Sequence, residues 1–365
     1  MFIPSSFGAS LATALFSMCC WGSWSNTLKA TAGRMRFEVF YVDYSIFACL
    51  TSLAAALTLG MVSSGSDKAT FLDDFREMAP DRYAFALAAG LVFNAANLCL
   101  CKGIGMLGLA LAFPICIGTA MLLGTVVTYA VQPSGSFGLL MVGVLLGFSA
   151  VCLAALAQRM RDRQRGAAVS KSRGGGASSA EAGLVAAEGA PREAPAAGPP
   201  FARRLSVCLV GGVLMGLWNP LVTLAEKDGG LSSYTEMVFF TLAVFLSSLA
   251  FLPIFLTWPL EGGAGVPLST AVREYCLQPP RAHALPALGG FIWALGSLAN
   301  AVAGTSGVLN PAESYAIGQC ANVIAIFWGV LYFREFSGAG PAINLLLALI
   351  CCLYAGAIAC VAAAG

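Results

Sequence analysis

Charged residues are scarce in this chain. Asp, Glu, Lys and Arg make up 10% of its 365 residues, whereas a typical soluble domain carries roughly 25%. Hydrophobic residues make up 58%, and the mean hydropathy is +0.80. The apolar residues form runs of about 20, the length at which a helix crosses a bilayer core. This composition excludes an ordinary soluble enzyme and predicts an all-α, multi-pass membrane protein.

An excess of basic residues is also missing. Lys and Arg number 20 against 18 Asp and Glu, which leaves a net charge of +2. Such a balance offers no basic stripe to neutralise phosphates, so nucleic acid is not expected as a partner. Of the 13 cysteines, all but Cys276 fall in apolar runs and act as small hydrophobes. No metal or cofactor is expected.

Histidine and catalytic motifs are scarce as well. The only histidine, His283, falls in a predicted loop, and the chain contains no His-Glu-x-x-His and no Gly-x-Ser-x-Gly. We therefore do not expect an enzyme. A membrane-embedded transferase and a receptor or scaffold that binds without transport are the alternative classes.

Apolar windows bounded by charged or turn residues predict ten membrane-spanning helices in two groups of five. Residues 159–203 separate the groups and are rich in Gly, Ala, Pro and Ser, which predicts a disordered linker. The expected domains are residues 1–158, the linker, and residues 204–365. The predicted spans cover residues 7–28, 39–62, 83–106, 108–131, 138–158, 204–225, 233–257, 284–304, 306–333 and 341–363.

Lys and Arg residues in the loops predict the orientation of the chain in the membrane. By our count, 16 of them lie on the side of the linker and 4 on the other side. The positive-inside rule then places the linker in the cytoplasm and both termini outside. The plasma membrane is the expected location, with an endomembrane as the alternative.

Short matches between the two groups of spans indicate a duplication. Trp24 recurs as Trp218 at an offset of 194, and Tyr41 with Asp43 recurs as Tyr234 with Glu236 at an offset of 193. Later matches have larger offsets: Gly90, Leu98, Ala112 and Gly118 recur 200 residues on, and Ser134-Gly135 recurs at 203. Five spans per copy invert the second copy in the membrane. Inverted repeats are typical of alternating-access transporters.

Four charged residues fall inside the predicted spans, where charge is costly. They are candidates for proton coupling or gating. Interfacial positions, helix capping or a lysine that extends toward the headgroups are the structural alternatives. The four are Asp43, Lys102, Glu236 and Glu313.

Amides and tryptophans within the spans form a second candidate set. Amide groups donate and accept hydrogen bonds, and tryptophan rings stack on planar or sugar-like solutes; amides also join helices to one another. The candidate solute-binding residues are Trp24, Asn26, Asn94, Asn97, Trp218, Asn219, Trp293, Gln319 and Asn322.

Several of these segments resemble the ureide permeases and their relatives, the bacterial glucose/ribose uptake and rhamnose permease group within the drug/metabolite transporter superfamily. The segment Phe327–Glu335 after Gln319 resembles their ninth span. Tyr41-Val-Asp43-Tyr44 resembles the ureide permeases' second span, Asn97-Leu98 their third, and Gly124-Thr125 with Tyr129 their fourth. Leu288–Trp293 resembles the eighth span of eukaryotic sugar-transporter-like members of the group.

The resemblance implies ten helices in two inverted five-helix repeats, a large cytoplasmic loop after span five, and uptake of a polar solute, often coupled to protons. It marks Asp43, Asn97 and Gln319 as pocket or coupling positions and Trp328-Gly329 as structural. Two features depart from the pattern: the linker is short and lacks a nucleotide-loop-like segment, and Asn322 replaces an expected proline.

The sequence thus predicts a secondary active transporter of a small polar solute by alternating access. The solute is expected to be ureide-like or nucleobase-like, with a glucose-type or rhamnose-type monosaccharide as the alternative. Protons and the lipid bilayer are the other expected partners, and the chain is a candidate homodimer.

Overall fold

The computed structural model describes residues 1–31, 33–62, 70–107, 109–174, 200–260 and 264–365. These residues form α-helices joined by short turns, and they form no strand. The helices are α1 Phe7–Ser23, α2 Ser25–Thr31, α3 Phe37–Thr58, α4 Phe71–Glu77, α5 Pro80–Leu107, α6 Leu109–Val131, α7 Phe137–Gly174, α8 Phe201–Glu226, α9 Ser233–Thr257, α10 Leu268–Leu277, α11 Ala284–Gly304, α12 Pro311–Gln319, α13 Asn322–Phe327 and α14 Pro341–Ala362.

Nine helical segments of the described residues are long and apolar enough to cross a membrane, which makes the protein a multi-pass membrane protein. The segments are Phe37–Met61, Pro80–Ile104, Pro114–Val131, Phe137–Arg165, Phe201–Glu226, Ser233–Thr257, Pro280–Gly304, Pro311–Tyr332 and Pro341–Ala362.

Successive long helices alternate in direction, so the bundle has two distinct ends. At one end the backbone N–H of Phe2 donates to Leu59 O at 3.1 Å, and the N–H of Ser136 donates to Ala364 O at 2.6 Å. We call this the terminal end because both chain termini lie there. The opposite end, where α3 begins, α7 ends and α8 begins, is the linker end.

Helix boundaries agree with the predicted spans except at two helix breaks and at one helix that is longer than predicted. The first predicted span, 7–28, is two helices that meet at Trp24. The ninth, 306–333, is broken after Gln319 and ends in a five-residue π turn, Trp328–Tyr332. Helix α7 continues beyond the predicted limit of 158 to Gly174, so the predicted linker begins within a helix. Residues 175–199 of that linker lie outside the described residues.

Two short amphipathic helices, α4 and α10, were not predicted. Each follows the second long helix of its group. The buried residues are Phe71 and Asp74 in α4 and Ala271 in α10. Helix α4 contacts α9 at the terminal end, and α10 contacts α3 at the linker end. Each short helix therefore packs on a long helix of the other group.

The two groups of helices share one interior. Helix α5 packs along α8 and α9, and α11 packs along α1 and α3, so each group contributes its third long helix to the other group's surface. Glycines permit the closest approaches: a Cβ at Gly90 would lie 2.1 Å from Phe240 O, and one at Gly290 would lie 2.1 Å from Tyr44 O. These contacts position the aromatic residues described next.

Candidate solute-binding site

A cavity of about 210 Å³ lies between the two groups of helices, from mid-depth toward the linker end. Its residues come from α1, α2, α5, α6, α8, α11, α12 and α13. None of the described residues that line it is charged. The lining residues are Trp21, Gly22, Trp24, Ser25, Phe93, Asn97, Leu100, Ile104, Ile117, Met215, Trp218, Trp293, Gly318, Gln319, Ala321, Asn322 and Ala325.

Aromatic rings form the wall of the cavity at mid-depth. Phe93 and Trp293 stack at a centroid distance of 4.8 Å, and the Trp218 ring meets the edge of Phe93 at 5.8 Å. Trp21 lies 6.0 Å from Trp218 in a T-shaped contact. Rings held by other rings keep their orientation at little cost in entropy, so they form rigid surfaces on which a planar solute stacks.

An unused hydrogen-bonding group faces this aromatic wall. The side chain of Gln319 lines the cavity, is 8% exposed and forms no hydrogen bond with any described residue. The amide of Asn97 donates to Tyr41 Oη at 2.9 Å, which fixes the amide orientation. Leaving a buried donor unpaired costs about 1–3 kcal/mol, so the Gln319 amide is suited to a ligand.

A helix break brings Gln319 to the cavity. Helix α12 ends at Gln319, the next two residues form a turn, and α13 begins at Asn322. The break lies where α1 approaches closely: a Cβ at Gly22 would lie 2.4 Å from Ala321 O. The Asn322 amide donates to Tyr354 Oη at 3.2 Å, and Asn322 also lines the cavity.

Three of the candidate amides lie outside the cavity lining. The Asn94 amide donates to Val244 O at 3.1 Å and Ser247 Oγ at 2.7 Å, and its Oδ1 accepts from Tyr41 Oη at 2.9 Å. Asn219 donates to a threonine hydroxyl, and Asn26 bonds to the backbone one turn earlier. These contacts are those of amides that join or stabilise helices.

Two of the four charged candidates take part in polar contacts at the linker end. Asp43 accepts a hydrogen bond from Tyr275 Oη at 2.6 Å, and its other oxygen lies 2.6 Å from His283 Nδ1. His283 is therefore not an isolated loop residue: it directly precedes α11 and binds a carboxylate of α3. Lys102 pairs with Glu38 at 2.6 Å, and both side chains are buried.

Glu236 is fully buried at the terminal end, and neither of its carboxyl oxygens has a hydrogen-bond partner among the described residues. Glu226 Oε1 is also without a partner and borders a cavity of about 350 Å³. The sequence prediction missed Glu226 because the predicted span ended at residue 225.

Glu313 caps a helix. Its Oε2 accepts the backbone N–H of Asn310 at 2.9 Å, and the Asn310 side chain accepts the N–H of Glu313 at 2.9 Å. Pro311 occupies the first turn of α12, where its missing N–H is not needed. The reciprocal bonds make a capping box, although Glu313 Oε1 is buried without a partner.

Residues 40–186 match the model of the ureide permease family. Three curated proteins of Arabidopsis thaliana resemble the whole chain. Ureide permease 2 is 24% identical, with 98% of each chain covered. Ureide permease 1 is 24% identical over 98% of this chain and 97% of its own, and ureide permease 4 is 22% identical over 98% of both.

A solved crystal structure has the same fold. It superposes with a TM-score of 0.56 at 13% sequence identity and covers 96% of this chain and 98% of its own. The arrangement of helices described above is therefore found in another protein of nearly the same extent.

Proposed function

We propose that this protein is a transporter of ureide-like solutes with the solute site in the aromatic cavity. The full-length similarity to three ureide permeases supports a transport role. The observation that carries the assignment of the site is the amide of Gln319, which lines the cavity and forms no hydrogen bond with any described residue.

The solute that fits this site is neutral, planar and able to donate and accept hydrogen bonds. Because the described lining has no charged side chain, an ionised solute would lose its hydration without gaining a counter-charge. A cyclic ureide or nucleobase offers a flat ring for Trp293 and Phe93 and N–H and C=O groups for Gln319 and Asn97.

Alternating access between two inverted repeats is the mechanism we infer, with α1 and α2 together as a tenth span. The ring contacts support the repeat. Trp24 lies 5.1 Å from Tyr44, and Trp218 lies 5.5 Å from Phe240; Tyr44 lies 5.9 Å from Trp293, and Phe240 lies 5.5 Å from Phe93. Trp24, Tyr44 and Trp293 in one set of contacts thus correspond to Trp218, Phe240 and Phe93 in the other.

This relation aligns α3 with α9 at an offset of 196 rather than 193. In that register Tyr44 corresponds to Phe240, and the helix starts Phe37 and Ser233 also coincide. Glu236 then corresponds to Phe40, one helical turn from the position equivalent to Asp43. The sequence match of Tyr41 with Tyr234 differs from this register by three residues, about one helical turn.

In the described state the cavity is directed to the linker end, and polar contacts close the opposite side. Tyr315 Oη lies within hydrogen-bonding distance of Ala120 O at 3.2 Å and Met215 O at 3.3 Å, and Asn219 donates to Thr128 Oγ1 at 3.0 Å. We infer a cytoplasm-facing state, with the linker in the cytoplasm and both termini outside. Transport requires that these contacts separate while the linker end closes.

Proton coupling is the remaining part of the proposal, and Glu236 is its best candidate. A buried carboxyl group without a partner is rare in a membrane segment and marks proton pathways in transporters. Glu236→Gln is expected to abolish accumulation driven by a pH gradient while solute exchange persists. Accumulation at the wild-type level would remove Glu236 from this role.

Equilibrium binding to the purified protein tests the site. We expect saturable binding of radiolabelled uracil or allantoin, and we expect Gln319→Leu to weaken it by about 5-fold to 150-fold, the equivalent of 1–3 kcal/mol. Asn26→Leu removes an amide of the same chemistry outside the cavity and should bind as the wild type does. Equal binding by Gln319→Leu would contradict the assignment, and preferred binding of glucose would change the solute class.

A further inference from the structure

Three side chains join the two groups of helices at the linker end. Asp43 belongs to α3, Tyr275 to α10, and His283 directly precedes α11. Tyr275 Oη and His283 Nδ1 each lie 2.6 Å from a different oxygen of Asp43, and the two rings meet in a T-shaped contact at 4.8 Å. Asp43 is 4% exposed. We call these three residues the polar clasp.

A second set of three side chains stands at the matching position of the terminal end. Phe239 of α9 stacks on Phe75 of α4 at 6.3 Å and meets the edge of Tyr83 of α5 at 4.7 Å. The offset of 196 pairs Asp43 with Phe239. An offset of 200 pairs Phe75 with Tyr275 and Tyr83 with His283. We call this set the aromatic clasp.

An independent pair of contacts supports the same alignment. Asp74 of α4 accepts the backbone N–H of Ser232 at 2.8 Å, and Glu274 of α10 accepts the backbone N–H of Arg36 at 3.3 Å. Ser232 and Arg36 directly precede α9 and α3, and the two carboxylates are 200 residues apart. Each short helix thus holds the start of a long helix of the other group by the same device.

The two clasps share a geometry but differ in chemistry. Histidine is the side chain whose charge changes in the physiological pH range, and a charge-assisted hydrogen bond to a carboxylate is roughly twice as strong as a neutral one. The polar clasp therefore tightens when the imidazole is protonated. The aromatic clasp contains neither a carboxylate nor an imidazole, so acid does not change its strength.

We propose that the polar clasp is a proton-responsive lock on the linker end, whereas the aromatic clasp is its pH-insensitive counterpart. Protonation of His283 holds the α10–α11 segment against α3, and loss of the proton loosens this contact between the two groups. The inference rests on the proposed alternating access for its role in transport. The lock itself is a property of the folded protein that is measured without any solute.

Other charged groups near the polar clasp are already engaged or lie at its edge. On α10, Glu274 pairs with Arg36 at 2.9 Å, and Arg273 and Cys276 are exposed. Glu38 of α3 pairs with Lys102 of α5. Arg281 lies two residues before His283, and the nearby turns of α9 and α11 contain no Asp, Glu, Lys or Arg. His283 and Asp43 are therefore the pair in which a change of charge alters a contact between α3 and the α10–α11 segment.

The test follows the two ends of the full-length, untagged protein in lipid nanodiscs. Because His283 is the only histidine, ¹⁵N-histidine labelling gives a single imidazole titration. Amide hydrogen exchange is measured from pH 5 to 8 and corrected for the intrinsic pH dependence of exchange. We expect exchange in α10 to rise about fivefold with the same midpoint as the imidazole titration, while exchange in α4 stays constant.

Matched variants separate the lock from a general effect of pH. His283→Gln retains a hydrogen-bond donor but does not titrate, so it should remove the pH dependence in α10. Tyr83→Leu removes one ring of the aromatic clasp and should leave that dependence intact. If His283→Gln does not fold, Asp43→Asn provides the same test, since it keeps an acceptor for Tyr275 and removes the charge.

Two results would overturn the inference: exchange in α10 that does not change with pH in the wild type, or an unchanged pH dependence in His283→Gln. Because the measurement requires neither solute nor flux, a failure of the transport proposal leaves it interpretable. Conversely, flux without a pH response in α10 would contradict the lock alone.

Discussion

The two ends of the bundle are held together by different forces. At the linker end, oppositely charged side chains pair between helices: Lys102 with Glu38, Arg36 with Glu274, and Lys29 with Glu335. At the terminal end, the ion pair among the described residues joins neighbouring residues, Asp81 and Arg82, at 3.9 Å. Aromatic packing and hydrogen bonds to uncharged groups hold that end. Asp74, for example, accepts the backbone N–H of Ser232, and Arg82 donates to Leu224 O.

This difference indicates that ionic strength and pH alter contacts between helices chiefly at the linker end. Ionic strength screens exposed pairs, and pH changes the charges of titratable groups. Both therefore change the pairs of opposite charges at the linker end, toward which the cavity is directed, more than they change the terminal end, where charged groups bond to uncharged ones. The following predictions compare matched changes at the two ends, in order of decreasing effect.

The largest effect is expected at the buried ion pair of the linker end. Lys102→Met removes the cation that faces Glu38, and a carboxylate left in this position should cost about 3 kcal/mol of folding stability. Denaturation of the detergent-solubilised protein measures the loss. Addition of Glu38→Gln should restore most of it, and Asp81→Asn should change stability by less than about 0.5 kcal/mol. Equal losses at the two ends would remove the distinction.

The carboxylates that hold the helix starts give the next effect. Asp74→Ala removes the acceptor for Ser232 N–H and for the Thr235 hydroxyl, the latter at 2.9 Å. Asp74 is 2% exposed, so we expect a loss of about 1–2 kcal/mol. Glu274→Ala, the matched change at the linker end, should cost less because the Glu274 side chain is 26% exposed. A larger loss for Glu274→Ala in the same denaturation assay would reverse this ranking.

An exposed pair should contribute little and should depend on salt. Glu335→Gln removes the ion pair with Lys29, whose ammonium also lies 3.8 Å from the centre of the Phe333 ring. We expect a loss under about 1 kcal/mol at low salt, and a smaller one in 0.5 M NaCl. Comparison of unfolding midpoints at the two salt concentrations checks it, and a loss that grows with salt would be inconsistent with screening.

The smallest effect is confined to alkaline solution. Burial, with the hydrogen bond to Asp43, raises the pKa of Tyr275 from 10.0 to about 12. Because the folded state holds this proton more tightly than the unfolded state, its contribution is complete below pH 10 and is lost as pH rises to about 12. Tyr275→Phe should show a smaller decline in stability over this window. An identical decline would exclude Tyr275 as its source.

Sequence patterns located most of the long helices because hydropathy is a local signal. The predicted spans 233–257 and 284–304 coincide with α9 and α11. The short helices α4 and α10 escaped because each is amphipathic and carries charge, which a search for apolar runs rejects. The break after Gln319 escaped as well, because no proline marks it and contacts with α1 accommodate it.

The site was predicted only in part because the function of an amide depends on its partners. Trp24, Asn97, Trp218, Trp293, Gln319 and Asn322 line the cavity. Asn26, Asn94 and Asn219 are also asparagines in predicted spans. Their amides, however, donate hydrogen bonds to backbone or hydroxyl oxygens of the helices. The contact of Asp43 with His283 joins residues 240 positions apart, and only the packing of the two groups of helices reveals it.

Flux through reconstituted protein tests the central claim most directly. Proteoliposomes that contain the wild type, Gln319→Leu or Asn26→Leu are compared for uptake of radiolabelled uracil and allantoin at a subsaturating concentration, with empty liposomes as the background. The account predicts uptake by the wild type and by Asn26→Leu, and at least about a fivefold lower rate for Gln319→Leu. Equal rates for wild type and Gln319→Leu, or wild-type uptake no greater than that of empty liposomes, would contradict it.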